Sequence, residues 1–189
     1  MKALILDGSA QSDVALAIAR ESLEARLLDM QWEVVSYTLR DMVIAPCMGC
    51  FGCWVKTPGT CVIDDDGRNV ACVASQSDLW FFLTHVTFGG YSSILKKAVD
   101  RMICLGLPLF IESNNEIHHP LRYGKGSSLI GIGLGEAHDV EGAEIFKRLI
   151  KRNAVNFQSP IHVSEVLHSQ AIEGEIRRTM DGILSLVKV

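Results

Sequence analysis

The sequence predicts an α/β fold in which helices cover both faces of a parallel sheet. Five short apolar runs alternate along the chain with segments whose apolar residues repeat at helical spacing. Strands that follow one another in parallel need long crossover connections, and helices provide them. With 189 residues, of which 48% are hydrophobic, the chain is large enough to bury a sizeable core. We therefore expect one domain over residues 1–189.

The first predicted unit is a strand, a turn and a helix. Residues 2–6 form a short apolar run, which is typical of a strand buried on both faces. From Asp13 to Leu28 apolar residues recur at helical spacing. Residues 33–38 are rich in β-branched and aromatic side chains, which favours a second strand.

The later elements follow the same alternation. The predicted strands are residues 79–84, 127–134 and 161–167, and the predicted helical segments are residues 69–75, 94–103, 140–150 and 172–187. In the segment 94–103, Asp100 and Arg101 lie off the apolar stripe. Residues 107–126 show neither the helical spacing nor the strand alternation of apolar residues, so we expect an irregular excursion. Long loops of this kind often carry function.

The order of the strands predicts where a ligand binds. Five strands of this kind fit the order 2-1-3-4-5, whose ligand lies beyond the carboxyl ends of strands 1 and 3. The site should therefore be built by the turns after the first, third and fourth strands.

The turn after the first strand leads directly into a helix. The unpaired N–H groups of a helix start can hold a phosphate. The predicted phosphate contacts are Ser9, Ala10, Gln11 and Ser12. Capping of the helix by Ser12 or Asp13 is the alternative. Because the turn contains no Lys or Arg, we expect backbone N–H groups to hold most of a phosphate bound here.

The turns after the third and fourth strands complete the predicted site. Two adjacent glycines allow a ligand to approach the backbone closely, and Phe88 and Tyr91 flank them as candidates to contact a planar ring. The predicted contacts are His85, Val86, Thr87, Phe88, Gly89, Gly90 and, from the fourth strand, Gly135. The alternative is a plain strand-to-helix turn in which Ser92 caps the helix. We expect His85 to line the site without acting as acid or base, because no nucleophile is paired with it.

A cysteine-rich loop spans residues 45–64. Cys47, Cys50 and Cys53 follow one another at a spacing of three, with Cys61 close behind. This spacing is how a cubane iron-sulfur cluster takes three of its ligands, and Cys61 is the candidate for the fourth. Zinc, a redox-active thiol pair and a metal-free loop remain alternatives. The two other cysteines, Cys72 and Cys104, are expected to be small buried residues.

Composition excludes several classes of protein. The chain has 18 basic and 22 acidic residues, a net charge of −4 and no run of Lys or Arg, so it lacks the charge pattern of a nucleic-acid binder. No stretch of about 18 apolar residues occurs, and the first apolar run is too short for the core of a signal peptide. We expect a cytoplasmic protein that binds neither nucleic acid nor a membrane.

Taken together, these segments resemble the flavodoxin-like NAD(P)H-dependent FMN reductases, and within them the iron-sulfur flavoproteins. The likeness spans nearly the whole chain. Gly8-Ser9 stand at the place of the family's phosphate loop, and residues 84–89 at the place of its ring-contacting turn. The cysteine motif is matched by Cys47, Gly49, Cys50, Cys53 and Cys61, with Asp64-Asp65 after it. In the next helix, Leu95-Lys96 and Asp100-Arg101 also match. The chain departs from the family in a shorter phosphate loop without the usual Pro-Arg, and in Thr-His-Val-Thr where Thr-Pro-Val-Tyr is usual.

The resemblance implies a fold and an activity. The fold would be a flavodoxin-like three-layer sandwich, and FMN would be held by the turn residues named above. NAD(P)H or a one-electron donor would supply electrons for a quinone, metal or protein acceptor. A 4Fe-4S cluster on Cys47, Cys50, Cys53 and Cys61 would carry single electrons. The alternative is a flavin-free protein of the same fold that uses the cysteine loop for zinc or partner binding. The apolar loop surface around Phe51 and Trp54 favours a homodimer or higher homo-oligomer.

Overall fold

The computed structural model describes residues 1–11, 13–113 and 115–187. In chain order the strands are β1 (Lys2–Asp7), β2 (Glu33–Thr38), β3 (Leu79–His85), β4 (Ile111–Ser113), β5 (Glu116–His118), β6 (Ser128–Gly135) and β7 (His162–His168). The helices are α1 (Val14–Asp29), α2 (Gly52–Val55), α3 (Asp66–Ser75), α4 (Ser93–Arg101), α5 (Val140–Asn156) and α6 (Glu173–Leu186).

A parallel sheet of five strands lies at the centre of the molecule. Its order is β2-β1-β3-β6-β7, and every neighbouring pair runs parallel. Because β6 and β7 are the fourth and fifth strands of this sheet, the predicted order 2-1-3-4-5 is confirmed. The strand bounds lie within about one residue of those that the apolar runs indicate.

Helices pack on both faces of the sheet and make three layers. Helices α1 and α6 contribute to one hydrophobic cluster, and α3, α4 and α5 contribute to the other. Successive residues of β3 alternate between the two clusters: Trp80 and Phe82 belong to one, Phe81 and Leu83 to the other. This period of two explains why the sequence of a doubly covered strand is apolar throughout.

Residues 107–126 differ from the expectation of an irregular excursion. Strands β4 and β5 pair antiparallel within it, next to Asn115, whose φ is 61°. Asparagine tolerates this left-handed conformation better than most residues. The prediction was wrong here because strands of three residues are too short to show an alternating pattern. Backbone hydrogen bonds from Leu107 N–H to Pro120 O and from Arg122 N–H to Leu105 O close the base of the excursion.

The helical segments also differ from the prediction, and α5 extends to Asn156, six residues beyond its predicted end. Helix α4 ends at Arg101 and continues as a 3-10 turn over Met102–Leu105. Helix α3 starts at Asp66, earlier than predicted, because the Asp65 carboxylate caps it by accepting the Gly67 N–H. Helix α2 is a single turn inside the cysteine loop. Within the ranges that the structure describes, no helix is both long and apolar enough to cross a bilayer.

Candidate functional site

The turns after β1, β3 and β6 meet at the carboxyl edge of the sheet. The Gly8 N–H donates to Leu83 O at 2.8 Å, and the Ser92 hydroxyl donates to Gly8 O. The Val86 N–H donates to Leu134 O at 2.8 Å. These bonds bring together the three turns that the strand order predicts.

The turn after β3 is tightly constrained. Thr87 and Gly90 exchange two backbone hydrogen bonds of 3.0 and 2.8 Å, and Phe88 and Gly89 between them have φ values of 49° and 73°. Positive φ at both central residues defines a type I′ turn. A Cβ on Gly89 would overlap Ile145 of α5, so this position requires glycine. The side chain of Phe88 is fully exposed at the tip, where it offers an aromatic face for a planar ring.

Tyr91 does not take part in this surface, although the sequence suggested it. Its ring lies in the core between Phe82 and Phe146, and its hydroxyl accepts a hydrogen bond from Asn153. Burial raises the pKa of Tyr91, and the bond from Asn153 offsets only part of that effect. The alternation of buried and exposed positions at the end of a turn is too short to have revealed this.

The neighbouring residues of the same turn have structural partners. Ser92 caps α4 by accepting the Leu95 N–H, which was the alternative interpretation of this turn. The ring of His85 lies 3.4 Å from the Asp13 carboxylate. Gly135 ends β6, and its carbonyl accepts the Ser169 N–H.

In the turn after β1, nearby carboxylates accept hydrogen bonds from several of the polar donors. The N–H and hydroxyl of Ser9 both donate to the buried Asp7 carboxylate, at 2.9 and 2.6 Å. Asp13 caps α1 by accepting the N–H groups of Ala15 and Leu16. Capping by Asp13 was the alternative interpretation of this turn. Ala10 and Gln11 are exposed at its tip, and Ser12 lies outside the described residues.

Two arginines from other elements reach this turn, and neither was predicted from the sequence. Arg20 of α1 and Arg40, which follows β2, place their Nη1 atoms 3.8 and 3.7 Å from Asp7 Oδ2. Arg40 Nη1 also donates to the Ser9 hydroxyl at 2.9 Å. The turn therefore has positive charge beside it, in addition to the backbone N–H groups that the sequence suggested as the main phosphate contacts. The available signal was the position of Arg40 just after a strand that neighbours β1.

The residues at this edge fit a phosphorylated ligand. Among the described residues, the Nε of Arg20 has no hydrogen-bond partner although it is buried. A buried cationic donor without an acceptor is unfavourable. The carboxylate beside this Nε is that of Glu24, one turn further along α1, at 3.9 Å. The phosphate of FMN is an anion that the guanidinium groups of Arg20 and Arg40 would attract, and the exposed ring of Phe88 lies on the adjoining turn.

The four clustered cysteines line a single cavity of about 220 Å³. Its wall consists of Cys47, Met48, Gly49, Cys50, Phe51, Cys53, Cys61, Ile63, Asp100, Arg101 and Ile103, and we call it the cysteine cavity. Positive φ values at Gly49 and Phe51 turn the chain around it. The loop therefore gathers Cys61 to the three cysteines of the tight spacing, as the sequence suggested.

Arg101 fastens both ends of the cysteine loop to α4. Its guanidinium donates to both carboxylate oxygens of Asp65, at 2.9 and 2.8 Å, and to the carbonyls of Ala45 and Ile63. The side chain is only 1% exposed, although the helical pattern placed it off the apolar stripe. Burial alone would raise the pKa of Asp65, but Arg101 and the N–H groups of Ala45 and Gly67 outweigh burial and hold that pKa below its usual value.

The pKa values of two buried thiols, Cys53 in the cavity wall and Cys104 behind it, are raised, which favours their protonated form. Burial raises the pKa of Cys53, and the nearby Cys61, Cys47 and Cys50 raise it further. Burial also raises the pKa of Cys104 to about 11, with a further contribution from Cys53 and Cys61. A cation bound by the thiolates would reverse this preference, because coordination favours deprotonated sulfur.

The two isolated cysteines differ from each other. Cys104 is buried, as predicted, whereas Cys72 is exposed and the prediction for it was wrong. The buried face of α3 contains Val70, Ala71 and Ala74, and Cys72 lies on the other side of the helix. A single cysteine in a helix carries too weak a signal to choose between the two sides.

A single metal ion finds no ready ligand set in the part of the chain that the structure describes. No three side chains of His, Cys, Asp or Glu converge there on one point. Thiolates on one zinc ion would have to lie about 3.8 Å apart, as bond lengths of about 2.3 Å in a tetrahedron require. A 4Fe-4S cluster binds one thiolate at each of its four iron atoms. Its cysteine ligands therefore lie around a space large enough for the cluster. The four clustered cysteines line the same cavity.

Solved structures of low sequence identity share this fold. NAD(P)H:quinone oxidoreductase from Methanothermobacter marburgensis matches with a TM-score of 0.66 and 12% identity, over 97% of each chain. An FMN-dependent NADH-azoreductase from Bacillus anthracis, solved in complex with FMN, matches with a TM-score of 0.65 and 11% identity, over 96% of this chain and 98% of that one. An azoreductase from the same species gives a TM-score of 0.70 at 10% identity, over 98% of each chain.

The family itself is identified from the sequence. No curated protein matches this chain. The family model of the NADPH-dependent FMN reductases matches residues 1–141. These residues include the turns after β1, β3 and β6 and the whole cysteine loop. With most of its length matched and its three turns arranged at one edge of the sheet, the chain belongs to the NADPH-dependent FMN reductase family.

Proposed function

We propose that the protein is an FMN-dependent oxidoreductase that takes electrons from NAD(P)H and passes them to a small-molecule acceptor such as a quinone. The observation that carries the proposal is the family match over residues 1–141, which covers all three turns of the candidate site. The neighbours named as a quinone oxidoreductase and azoreductases support an acceptor of this class. The proposal includes a metal or a protein as alternative electron acceptors. It also includes a cytoplasmic location for the protein.

The chain's own residues would bind and orient the cofactor. FMN, when bound, supplies the redox chemistry. The exposed ring of Phe88 and the backbone of residues 85–90 would support the flat ring system, while Gly135 lies on the same rim. Ser9, Ala10, Gln11 and Ser12 would lie along the phosphate end. His85 would line the site beside Asp13.

The absorption spectrum of the purified protein tests this proposal. We expect the two resolved bands of a flavin, release of FMN on denaturation, and oxidation of NADPH or NADH that depends on added benzoquinone. A colourless protein that does not bind FMN after reconstitution would contradict the proposal and favour the flavin-free alternative.

The substitution Phe88→Ala tests the ring contact. Because this side chain is fully exposed, its removal should leave the free energy of unfolding unchanged while it weakens FMN binding and alters the flavin fluorescence. Leu28→Ala removes another exposed apolar side chain, from α1, and serves as the matched control. Equal FMN affinities for both variants would place the ring elsewhere.

We also propose that the cysteine cavity holds a 4Fe-4S cluster on Cys47, Cys50, Cys53 and Cys61. The supporting observation is that all four side chains line one cavity. When bound, such a cluster supplies one-electron transfer. Arg101, buried beside the cavity, would offset part of the negative charge of four thiolates and would keep both ends of the loop fixed.

Iron and sulfide analysis after anaerobic purification tests the cluster. We expect both elements and a broad absorption shoulder, which Cys53→Ser removes while the flavin bands stay. Cys72→Ser changes an exposed cysteine outside the cavity and should leave iron content unchanged. Failure to load iron after reconstitution would overturn the proposal, and stoichiometric zinc would favour the zinc alternative.

A homodimer or higher homo-oligomer remains part of the proposal. Phe51 and Trp54 stack at 5.1 Å, and the ring of His119 joins Trp54 to the exposed Phe110. Light scattering during size-exclusion chromatography gives the mass in solution. The mass of one chain at micromolar concentration would contradict this part.

A further inference from the structure

Asp7 lies between two guanidinium groups that it does not fully satisfy. Its Oδ1 accepts both hydrogen bonds from Ser9, and its Oδ2 lies 3.7 Å from Arg40 Nη1 and 3.8 Å from Arg20 Nη1. Both distances are longer than a good hydrogen bond. The two arginines are therefore held close to the turn after β1 by charge, and neither makes a hydrogen bond to Asp7.

The donors of these arginines exceed the acceptors around them. A guanidinium has five N–H donors. Among the described residues, Arg40 makes one hydrogen bond, to Ser9, and Arg20 makes one, to Thr38. Two further carboxylates lie near their Nε atoms, Glu24 at 3.9 Å from Arg20 and the exposed Asp41 at 4.0 Å from Arg40. Neither is within hydrogen-bond distance, and the Nε of Arg20 is buried without a partner.

The fold explains why Arg40 reaches this point. Strands β1 and β2 are parallel neighbours, and Asp7 is aligned with Thr38 at their ends. Arg40 follows in the 3-10 turn Leu39–Asp41 and extends over the end of β1 to the Ser9 hydroxyl. The turn itself contains no basic residue, so Arg40 and Arg20 bring positive charge to it from neighbouring elements.

We propose that Arg40, assisted by Arg20, binds the 5′-phosphate of the flavin in this protein. A phosphate monoester has three strong acceptor oxygens and about two negative charges, and it matches the fork of a guanidinium in a bidentate pair. Asp7 opposes the phosphate electrostatically and holds the arginines and the Ser9 hydroxyl in place. The inference rests on the proposed function, because it takes FMN as the ligand.

Comparison of FMN with riboflavin isolates the contribution of the phosphate. The cofactor-free protein is titrated with each flavin by fluorescence quenching, and the ratio of the riboflavin Kd to the FMN Kd is measured. Arg40→Gln should lower this ratio by about 10- to 100-fold, as expected for a charge-assisted hydrogen bond, and leave the riboflavin Kd unchanged. Arg40→Lys should retain part of the ratio.

Arg26→Gln is the matched control, since Arg26 is an exposed arginine of α1 whose side chain pairs with Asp181. Its ratio should equal that of the wild type. An unchanged ratio in Arg40→Gln, with FMN still bound, overturns the inference and leaves the proposed function standing. Absence of flavin binding by the wild type overturns both.

Two further outcomes would also overturn the inference. Equal weakening of riboflavin and FMN in Arg40→Gln would show a structural role for the side chain. A raised KM for NADPH but not NADH, with the flavin ratio unchanged, would assign Arg40 to the 2′-phosphate of the nicotinamide donor. If Arg40→Gln does not fold, Arg40→Lys decides the matter: a lowered ratio of the riboflavin Kd to the FMN Kd supports the inference, and a ratio equal to that of the wild type overturns it.

Discussion

Arg101 shows how one buried charge can organise a functional loop. A guanidinium removed from water is costly unless its donors are satisfied. Here Asp65 accepts two hydrogen bonds, and the carbonyls of Ala45 and Ile63 accept two more. Only the buried Nε of Arg101 has no hydrogen-bond partner among the described residues. These partners belong to the two ends of the cysteine loop, so the shape of the cysteine cavity depends on this side chain.

Removal of the Arg101 charge should strongly destabilise the protein. Arg101→Gln leaves the Asp65 carboxylate buried without its cation, which costs about 3 to 5 kcal/mol. The free energy of unfolding from urea titration measures the loss. Arg177→Gln, which breaks an exposed pair with Glu173, should cost less than about 1 kcal/mol. Similar losses for the two variants would contradict the role assigned to Arg101.

Burial also predicts the order in which the cysteines react. The thiolate is the reactive form, and the pKa of the buried Cys104 is raised to about 11. At pH 8 iodoacetamide should therefore modify the exposed Cys72 well before Cys104. Peptide mass spectrometry over time measures both. Modification of Cys104 in the folded protein as fast as Cys72 would show that its surroundings open readily.

At the scale of the elements, the packing of α5 on β6 depends on small residues. Gly131 and Gly133 lie on the face of β6 that α5 covers. A Cβ on Gly131 would overlap the side chain of Ile150, and one on Gly133 would contact Val86 and Phe146. The absence of side chains lets the helix approach the strand closely. It thereby fixes the turn after β3, which packs on the same helix through Gly89.

Gly131→Ala should therefore destabilise the protein, by about 1 to 3 kcal/mol, because it overpacks this contact. Gly182→Ala places the same methyl group inside α6, where no described atom lies within 4 Å. That change should stabilise the helix by about 0.5 to 1 kcal/mol, since alanine loses less conformational freedom on folding. Thermal unfolding of both variants gives the two values. If both substitutions changed the stability in the same direction, the packing argument would be refuted.

At the scale of the whole molecule, stability should fall at acid pH through Asp65. In the folded state its pKa is lowered, so the unfolded chain binds the proton more readily. The stabilising contribution is present above the usual aspartate pKa of about 3.9 and is lost as the pH falls through the lower pKa of the folded state.

Melting temperatures between pH 6 and pH 3 measure this dependence. Asp65→Asn should flatten the acid decline, although it also lowers stability at neutral pH. Asp64→Asn removes the adjacent, exposed carboxylate, which pairs with Arg68, and should keep the slope of the wild type. Equal slopes in the two variants would assign the acid sensitivity to other carboxylates, such as Asp78, whose pKa is lowered by the Lys2 N–H and by Lys125.

The sequence by itself determined the alternation of strands and helices, the strand order, the three turns of the site and the cysteine loop. These features follow from hydrophobic periodicity and residue spacing, which act over a few residues along the chain. The fold was therefore predictable within about a residue at most strand ends. The hairpin of β4 and β5 was not, because its strands are too short to carry a period.

Only the tertiary structure decided the partners of the charged residues. Arg40 meets Ser9 across 31 positions, and Arg101 meets Asp65 across 36. Such pairs depend on which strands are neighbours, on their register and on which face of a helix is covered. No local pattern encodes these three conditions, so the sequence indicated a turn without a basic side chain. The fold supplies Arg20 and Arg40 to that turn because parallel strands end at the same edge of the sheet.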